Sequence, residues 1–373
     1  MTAAFEIQLI AIVISIACSL CGTFLVLRKM SMMSDSITHT ILLGIVVAFF
    51  ITHDLNSPLL IVGAASVGVM TVWLTELLTK TKLVSEDSAI GIVFPLLFSI
   101  AIILISKYAG NVHLDTDAVL LGELAFAPFN RMVVMGTDIG PKGLYTAIVL
   151  LIINIAFISI FYKELKVATF DPMLAAVMGF SPVFIHYSLM TLVSLTAVGS
   201  FESVGSILVV AFMIGPASCA YLLTDDLKKM LVLSAVFATV SSILGYQFAY
   251  MLDVSIAGSM AVMIGILFAI TYIFAPKRGL VSIYLNKKQQ KIEFAEMTLL
   301  LHINNNVDEF GNEGQIEYID IEGDMYKNKK RVDNIIDSLI NSNKIKFENN
   351  TFVITDIGIQ SIEESMKTLL ETK

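Results

Sequence analysis

The chain has 373 residues, of which 56% are hydrophobic and only 15% are charged. Soluble proteins carry about 25% charged residues, so this composition excludes an ordinary soluble enzyme and indicates a protein with several membrane spans. The formal net charge is −8, but residues 287–373 alone hold 11 of the 24 basic and 16 of the 32 acidic residues. The composition therefore predicts a membrane domain over residues 1–280 and a separate polar domain over residues 281–373.

Nine stretches are apolar and approach the ~20 residues that a helix needs to cross a bilayer. They lie at approximately 7–27, 36–51, 58–79, 88–106, 143–162, 183–199, 203–223, 230–252 and 254–276. Glu123, Pro128 and Arg131 interrupt a further apolar stretch, 118–135, which predicts a re-entrant or broken helix there. We therefore expect an all-α polytopic membrane protein with about eight to ten transmembrane helices.

Basic residues predict the orientation of these spans. Five clusters fall at one side if there are nine crossings: Arg28–Lys29, Lys80–Lys82, Lys163–Lys166, Lys228–Lys229 and Lys277–Arg278. The positive-inside rule makes that side cytoplasmic, which places the N-terminus outside and the polar C-terminal domain in the cytoplasm. Lys107, Arg131 and Lys142 fall on the opposite side and are the exceptions. His186 begins a span on the cytoplasmic side, where we expect it to bond to backbone or water.

Asp35 and His39 stand near the start of the second span, four residues apart, so a helix places both side chains on one face. A carboxylate within a membrane costs several kcal/mol unless it faces a cavity or has a partner. One interpretation is a structural hydrogen bond that fixes the helix. The other is a site for Mn²⁺, Fe²⁺ or Zn²⁺, which accept carboxylate oxygen and imidazole nitrogen. Two ligands are too few for a closed site, whereas two copies on a two-fold axis would provide four.

Four segments resemble one family in the right order. The segments are "VLRKMSMMSDSITHTILLGIVVAF" around Asp35 and His39, "LLGEL" at 120–124, "FDPMLAAVMGFSP" at 170–182 and "SFESVGSILVVAFMIGPASCAYLLT" at 200–224. Together they resemble the permease subunits of metal-type ABC importers, the manganese/zinc/iron family, over about residues 5–278. The resemblance implies a type II-like ABC importer permease fold in the cytoplasmic (inner) membrane, with Asp35 and His39 as transport-site metal ligands in a dimer of permease subunits. It also implies a cytoplasmic ABC ATPase subunit and an extracytoplasmic metal-binding protein as partners.

Residues 170–182, here called the coupling segment, predict a short helix even without the family resemblance. Asp171 can cap a helix that has Pro172 in its first turn and ends at Gly179. The small residues Ala175, Ala176 and Gly179 would give this helix a flat face that could fit into a groove of another protein. An ordinary loop helix is the alternative; the resemblance implies an ATPase contact that includes Phe170, Asp171, Pro172, Ala175, Ala176 and Gly179.

The polar tail predicts a small α+β domain. Helical patterns cover 291–303 and 328–342, "GQIEYIDIEGDM" at 314–325 is interpreted as a further helix, and a final helix follows from Asp356. Two alternating strands, "KIKFE" and "TFVIT", flank Asn349–Asn350 and predict a hairpin. "LINSNKIKFENNTFVITDIGIQSIEES" resembles the wing and following helix of iron- and manganese-dependent repressors, which implies a winged-helix-like domain. Its net charge of 11 − 16 = −5 argues against a nucleic-acid partner.

The leading functional hypothesis is therefore the permease subunit of an ATP-driven divalent metal importer that works by alternating access around Asp35 and His39. No Gly-x-x-x-x-Gly-Lys-Ser/Thr sequence occurs, so ATP hydrolysis must come from another subunit and the chain is not itself an enzyme. We expect no permanently bound cofactor; the metal is cargo, with manganese the first expectation and zinc or iron the alternatives. Two other hypotheses remain open: a gradient-driven metal transporter that needs no ATPase, and a membrane-tethered metal-responsive regulator.

Overall fold

The computed structural model describes residues 3–54, 57–108, 124–134, 137–305, 315–317, 329–348 and 351–371. The chain divides into two compact units, Met1–Gly279 and Leu280–Lys373. The described elements of the first unit are ten α-helices, one short 3₁₀ turn and one hairpin. Its helices are α1 (Ala3–Leu27), α2 (Ser31–Thr52), α3 (Leu59–Lys80), α4 (Glu86–Tyr108), α5 (Lys142–Ile160), α6 (Tyr162–Phe170), α7 (Pro172–Val177), α8 (Pro182–Leu223), α9 (Leu227–Leu252) and α10 (Ile256–Phe274).

Within the described residues, eight of these helices are long and apolar enough to cross a membrane. Of the ten described helices of this unit, α6 and α7 are the two that are too short, at 9 and 6 residues. The first unit is therefore a multi-pass membrane domain. Helix α2 is longer than the predicted span 36–51, because it begins at Ser31 and includes the polar residues that precede the apolar run.

Helix α8 is a hairpin of two helical segments. A straight helix would hold Thr196 and Met213 about 25 Å apart at 1.5 Å per residue. Yet Thr196 Oγ1 lies 3.8 Å from Cys21 Sγ, and the backbone of Met213 lies against Gly22, the next residue of α1. The chain therefore turns back between them, and the break is at Gly205, which has φ 77° and ψ 164°. The two segments correspond to the predicted spans 183–199 and 203–223, so the eight helices make nine crossings within the described part of the chain.

All five basic clusters lie at one end of this bundle. Side-chain contacts near that end connect the segments that carry or adjoin these clusters: Arg28 with Thr169, His186 with Glu76 one turn before Lys80, Lys228 over the ring of Tyr162, and Arg278 with Asp225. Nine crossings require this arrangement. The charge asymmetry that predicted the orientation is thus a property of the fold as well as of the sequence.

The predicted re-entrant helix over 118–135 is wrong for the residues that the structure describes. Ala127–Phe129 form a 3₁₀ turn, and Arg131–Val134 (β1) pair antiparallel with Thr137–Pro141 (β2). Pro128 lacks a backbone donor, and Gly140 has φ 127°, a conformation that residues with a Cβ rarely adopt; both features favour a turn and hairpin over a helix. Residues 118–123, including Glu123, lie outside the described ranges.

Small residues set the helix packing that positions α2. A Cβ on Gly44 of α2 would lie 2.3 Å from the carbonyl oxygen of Gly63 in α3, so the two helices meet backbone to backbone. Small residues are typical of such contacts in membranes, where close packing replaces the hydrophobic effect between helices. Helix α2 is thereby held against α3 along its outer half, while its first turns carry Asp35 and His39.

The second unit contains a three-stranded antiparallel sheet with the order β3-β5-β4. Its elements are α11 (Leu280–Asn305), β3 (Gln315–Glu317), α12 (Lys329–Asn341), β4 (Ile345–Glu348), β5 (Thr351–Ile354) and α13 (Asp356–Glu371). The predicted hairpin is confirmed, with Phe347 opposite Phe352. The predicted helix over 314–325 is wrong at Gln315–Glu317, which pair with β5, and its remainder lies outside the described residues. The winged-helix interpretation stays a prediction.

Candidate metal and coupling sites

Asp35 and His39 occupy consecutive turns of α2. Their side chains approach to 3.6 Å between Asp35 Oδ1 and His39 Nε2, as the four-residue spacing predicts. The hydroxyl of Thr38 donates to the backbone carbonyl oxygen of Asp35. This hydroxyl therefore does not occupy the Asp35 carboxylate. One carboxylate oxygen and one imidazole nitrogen thus lie on the same side of a membrane-spanning helix.

The surroundings orient the imidazole but leave the carboxylate accessible. The His39 ring lies 5.2 Å from the ring of Phe94 and 5.9 Å from that of Phe98, both in α4. His39 is 22% exposed, whereas Asp35 is 42% exposed within the isolated chain. A carboxylate is costly to expose to lipid, so this face calls for a cavity, a partner subunit or a cation.

The pair is not a complete metal site by itself. In the parts of the chain that the structure describes, no three or more His, Cys, Asp or Glu side chains are grouped so as to hold one metal ion. First-row divalent cations need more ligands than two, so the described Asp–His pair requires further ligands to hold one. The arrangement fits a transient site that a cation enters and leaves.

The coupling segment folds as its sequence predicts. Asp171 has an extended backbone conformation and its Oδ1 accepts a hydrogen bond from the amide of Leu174 at 2.9 Å, which caps α7. Pro172 occupies the first helical position. Gly179 follows the helix with φ 86°, a conformation that favours glycine and lets the chain leave toward α8.

The exposed face of α7 differs from the predicted one. Ala175 is fully buried in a cluster with Phe24, Leu165 and Leu189, so it cannot belong to a docking face with Ala176 and Gly179. The exposed surface is instead apolar and bulky: Met173 is 82% and Val177 85% exposed. Ala175 faces inward because a six-residue helix lying on the bundle must turn one side chain of each turn toward it.

Sequence reasoning missed one cluster beside this segment. The sequence predicts that His186 bonds to backbone or water, but its ring lies between two side chains, with Nδ1 3.2 Å from Arg28 Nη1 and Nε2 2.5 Å from Glu76 Oε1. The signal in the sequence was a set of ionisable residues near the basic ends of apolar spans. Periodicity alone could not pair them, because they come from different helices.

Comparison with known proteins places this architecture in a family. Residues 2–275 match the family model described as the ABC 3 transport family. The chain belongs to that family. The match covers the first unit, in which the Asp–His pair and the coupling segment lie, and confirms the family resemblance found in the sequence.

Curated relatives and a solved structure support the same assignment. The chain is 48% identical over 298 residues to the zinc transport system membrane protein TroD of Treponema pallidum, covering 80% of this chain and 81% of the relative. It is 47% identical over 280 residues to the manganese transport system membrane protein MntD of Bacillus subtilis, covering 74% and 95%. The structure of PsaBC from Streptococcus pneumoniae in complex with Fab is similar with a TM-score of 0.64 and 30% identity, covering 77% of this chain and 96% of that one.

Proposed function

We propose that this ABC 3 family member is the transmembrane permease subunit of an ATP-driven divalent metal importer. The observation that carries the proposal is the Asp35–His39 pair, a carboxylate and an imidazole 3.6 Å apart on a membrane-spanning helix and accessible from outside their own bundle. A structural hydrogen bond alone would be expected to bury its carboxylate. Manganese is the first expectation, and zinc or iron are the alternatives, since this donor set accepts several first-row ions.

A second permease copy completes the site in this proposal. Two chains that meet on α2 would supply two carboxylates and two imidazoles, enough to replace most of the hydration shell of a first-row cation. Each chain alone holds the ion weakly. A site that exists only when two subunits adopt the right relative position can bind the ion in one state and release it in another, as alternating access requires. The second copy is either identical to this chain or a sister protein.

In this proposal, the energy for metal transport comes from ATP hydrolysis by a separate cytoplasmic ATPase subunit. The face of the coupling segment that carries Met173 and Val177 is bulky, apolar and located at the basic end of the bundle, which the positive-inside rule assigns to the cytoplasm. An apolar surface of this kind, on a rigid capped helix, is typical of a protein-docking site. We assign it to the ATPase and assign the opposite end of the bundle to an extracytoplasmic metal-binding protein. The second unit follows α10, which ends on the basic side, and is therefore cytoplasmic in this proposal.

The experiment measures accumulation of manganese, zinc and iron in cells that lack their own importer. The cells express this chain with its ATPase and binding protein, as wild type and as Asp35→Asn with His39→Gln. The matched control is His53→Gln with Asp54→Asn, which changes the same two residue types at the opposite end of α2. We expect uptake of one metal to fall at least about tenfold in the first variant and to persist in the control.

Three results would contradict the proposal in different ways. Unchanged uptake in the first variant would make Asp35 and His39 structural residues. Uptake that continues without the ATPase would indicate a gradient-driven transporter. Absence of uptake for every metal, in cells whose response to metal depends on residues 281–373, would indicate a membrane-tethered regulator.

A further inference from the structure

Arg28 connects three parts of the bundle. It follows the last residue of α1, and its Nε donates a hydrogen bond of 3.2 Å to Thr169 Oγ1, one residue before the coupling segment. Its Nη1 donates at 3.2 Å to His186 Nδ1 near the start of α8. The other ring nitrogen of His186 lies 2.5 Å from Glu76 Oε1 in α3. One chain of polar contacts therefore runs from α3 through α8 and α1 to the coupling segment.

The chemistry of these groups fixes their roles. A guanidinium has donors only, so His186 Nδ1 must accept from Arg28 and the ring proton lies on Nε2, toward Glu76. The other oxygen of Glu76 accepts from the hydroxyl of Tyr187 at 2.8 Å. The donor and the acceptor of the Arg28–His186 and Tyr187–Glu76 hydrogen bonds are therefore fixed. Burial lowers the pKa of Arg28 to about 10, so the guanidinium remains charged at neutral pH but is held here at a desolvation cost.

Arg28 also sits at the corner that leads to the metal pair. Lys29 follows with φ 62°, and the bonds from Lys29 N to Val26 O (3.1 Å) and from Met30 N to Leu25 O (2.9 Å) close the end of α1 tightly. Helix α2 begins at Ser31, immediately after this corner. A displacement of Arg28 therefore moves the first turns of α2, on which Asp35 and His39 lie.

The coupling segment also packs on apolar side chains, which connect it to the bundle less directionally than a hydrogen bond does. Below it lies an apolar cluster that includes Ala175, Leu165 and Ile185. Apolar contacts are non-directional and allow one surface to slide over another, whereas hydrogen bonds are lost within a small change of distance or angle. The bond between Thr169 and Arg28 is a directional link between the residue that directly precedes the coupling segment and the α1–α2 corner.

We propose that Arg28, Thr169 and His186 are positioning residues that transmit ATP-driven motion of the coupling segment to α2, and so to the Asp35–His39 pair. The inference rests on the proposed function, because it assumes that an ATPase moves the coupling segment. It predicts that loss of the link uncouples ATP hydrolysis from transport without preventing assembly of the complex.

The test reconstitutes the permease with its ATPase in proteoliposomes and measures metal transported per ATP hydrolysed. Thr169→Val removes the acceptor with little change in volume, and Thr169→Ser restores it. The control is Thr79→Val, since the Thr79 hydroxyl donates to Thr75 O within its own helix. Arg28→Lys serves as a second variant. It keeps the positive charge but replaces the planar guanidinium, which donates from several nitrogens, with a single ammonium group.

We expect the transport-to-hydrolysis ratio to fall about fivefold or more in Thr169→Val and Arg28→Lys, and to recover in Thr169→Ser. ATPase binding should be unchanged in all of them. A ratio within twofold of wild type in Thr169→Val, an equal fall in Thr79→Val, or loss of ATPase binding in Thr169→Val would each overturn the inference. These results differ from failure of the proposed function, in which the wild-type complex itself would transport no metal.

Discussion

Replacement of Met173 by Ala tests the surface assigned to the ATPase. The side chain is 82% exposed on α7, so a partner that covers this face would bury most of it. Truncation to Ala removes three heavy atoms beyond Cβ. At ~0.8 kcal/mol for each buried methylene-sized group, scaled by the exposed fraction, the loss of binding free energy is about 2 kcal/mol. That corresponds to a dissociation constant about 30-fold larger.

The assay is equilibrium binding of the purified ATPase to the permease in nanodiscs, measured by biolayer interferometry. Leu83→Ala is the matched control, because Leu83 is 87% exposed in the turn after α3 at the same end of the bundle, but outside the coupling segment. We expect the control to bind as wild type does. A dissociation constant for Met173→Ala within twofold of wild type would refute the docking assignment. An equal loss in Leu83→Ala would show that the effect comes from general surface hydrophobicity.

Three further predictions concern stability and local order. Gly22→Ala should abolish recovery of folded protein by size-exclusion chromatography, because the added Cβ would lie 1.7 Å from Met213 O. Gly265→Ala is the control and should be recovered normally, because a Cβ added there would have no neighbouring atom within 4 Å. Asp171→Ala should weaken ATPase binding several-fold through loss of the cap of α7, worth about 1 kcal/mol, whereas Asp171→Ser should largely restore it. Asn154→Ala should lower the melting temperature by a few degrees relative to wild type, because two buried hydrogen bonds are lost. Asn154 Nδ2 donates to Ala17 O at 3.0 Å, and Asn154 Oδ1 accepts from Thr196. An unchanged melting temperature would mean that these bonds contribute no net stability.

The success of sequence reasoning at Asp35 and His39 has a simple physical basis. Two residues four apart on a helix face the same way whatever the tertiary fold, so their proximity follows from the secondary structure alone. The same holds for the cap at Asp171, since a side chain that accepts from a backbone amide three residues later needs only local geometry. The hairpin around Asn349–Asn350 is likewise a local preference of the chain.

Errors arose where the outcome depends on distant partners. Apolar composition over 118–135 suggested a helix, but β1 and β2 satisfy each other's backbone groups instead. Gln315–Glu317 became a strand because β5 offers a free edge. Ala175 was assigned to the outer face of α7, since sequence does not reveal which side of a short helix lies on the bundle.

The sequence by itself determined the membrane class, the approximate number of crossings, the polar tail and the proximity of Asp35 and His39, because hydropathy and helical spacing act over short distances. Tertiary structure decided the rest. It placed Arg28, His186 and Glu76 in contact from three helices, turned Met173 and Val177 outward, and folded α8 back on itself at Gly205. These features depend on how helices pack side by side. In a bilayer, where every helix is apolar, close fit of small residues and buried polar contacts select the packing, and both join residues far apart in the chain.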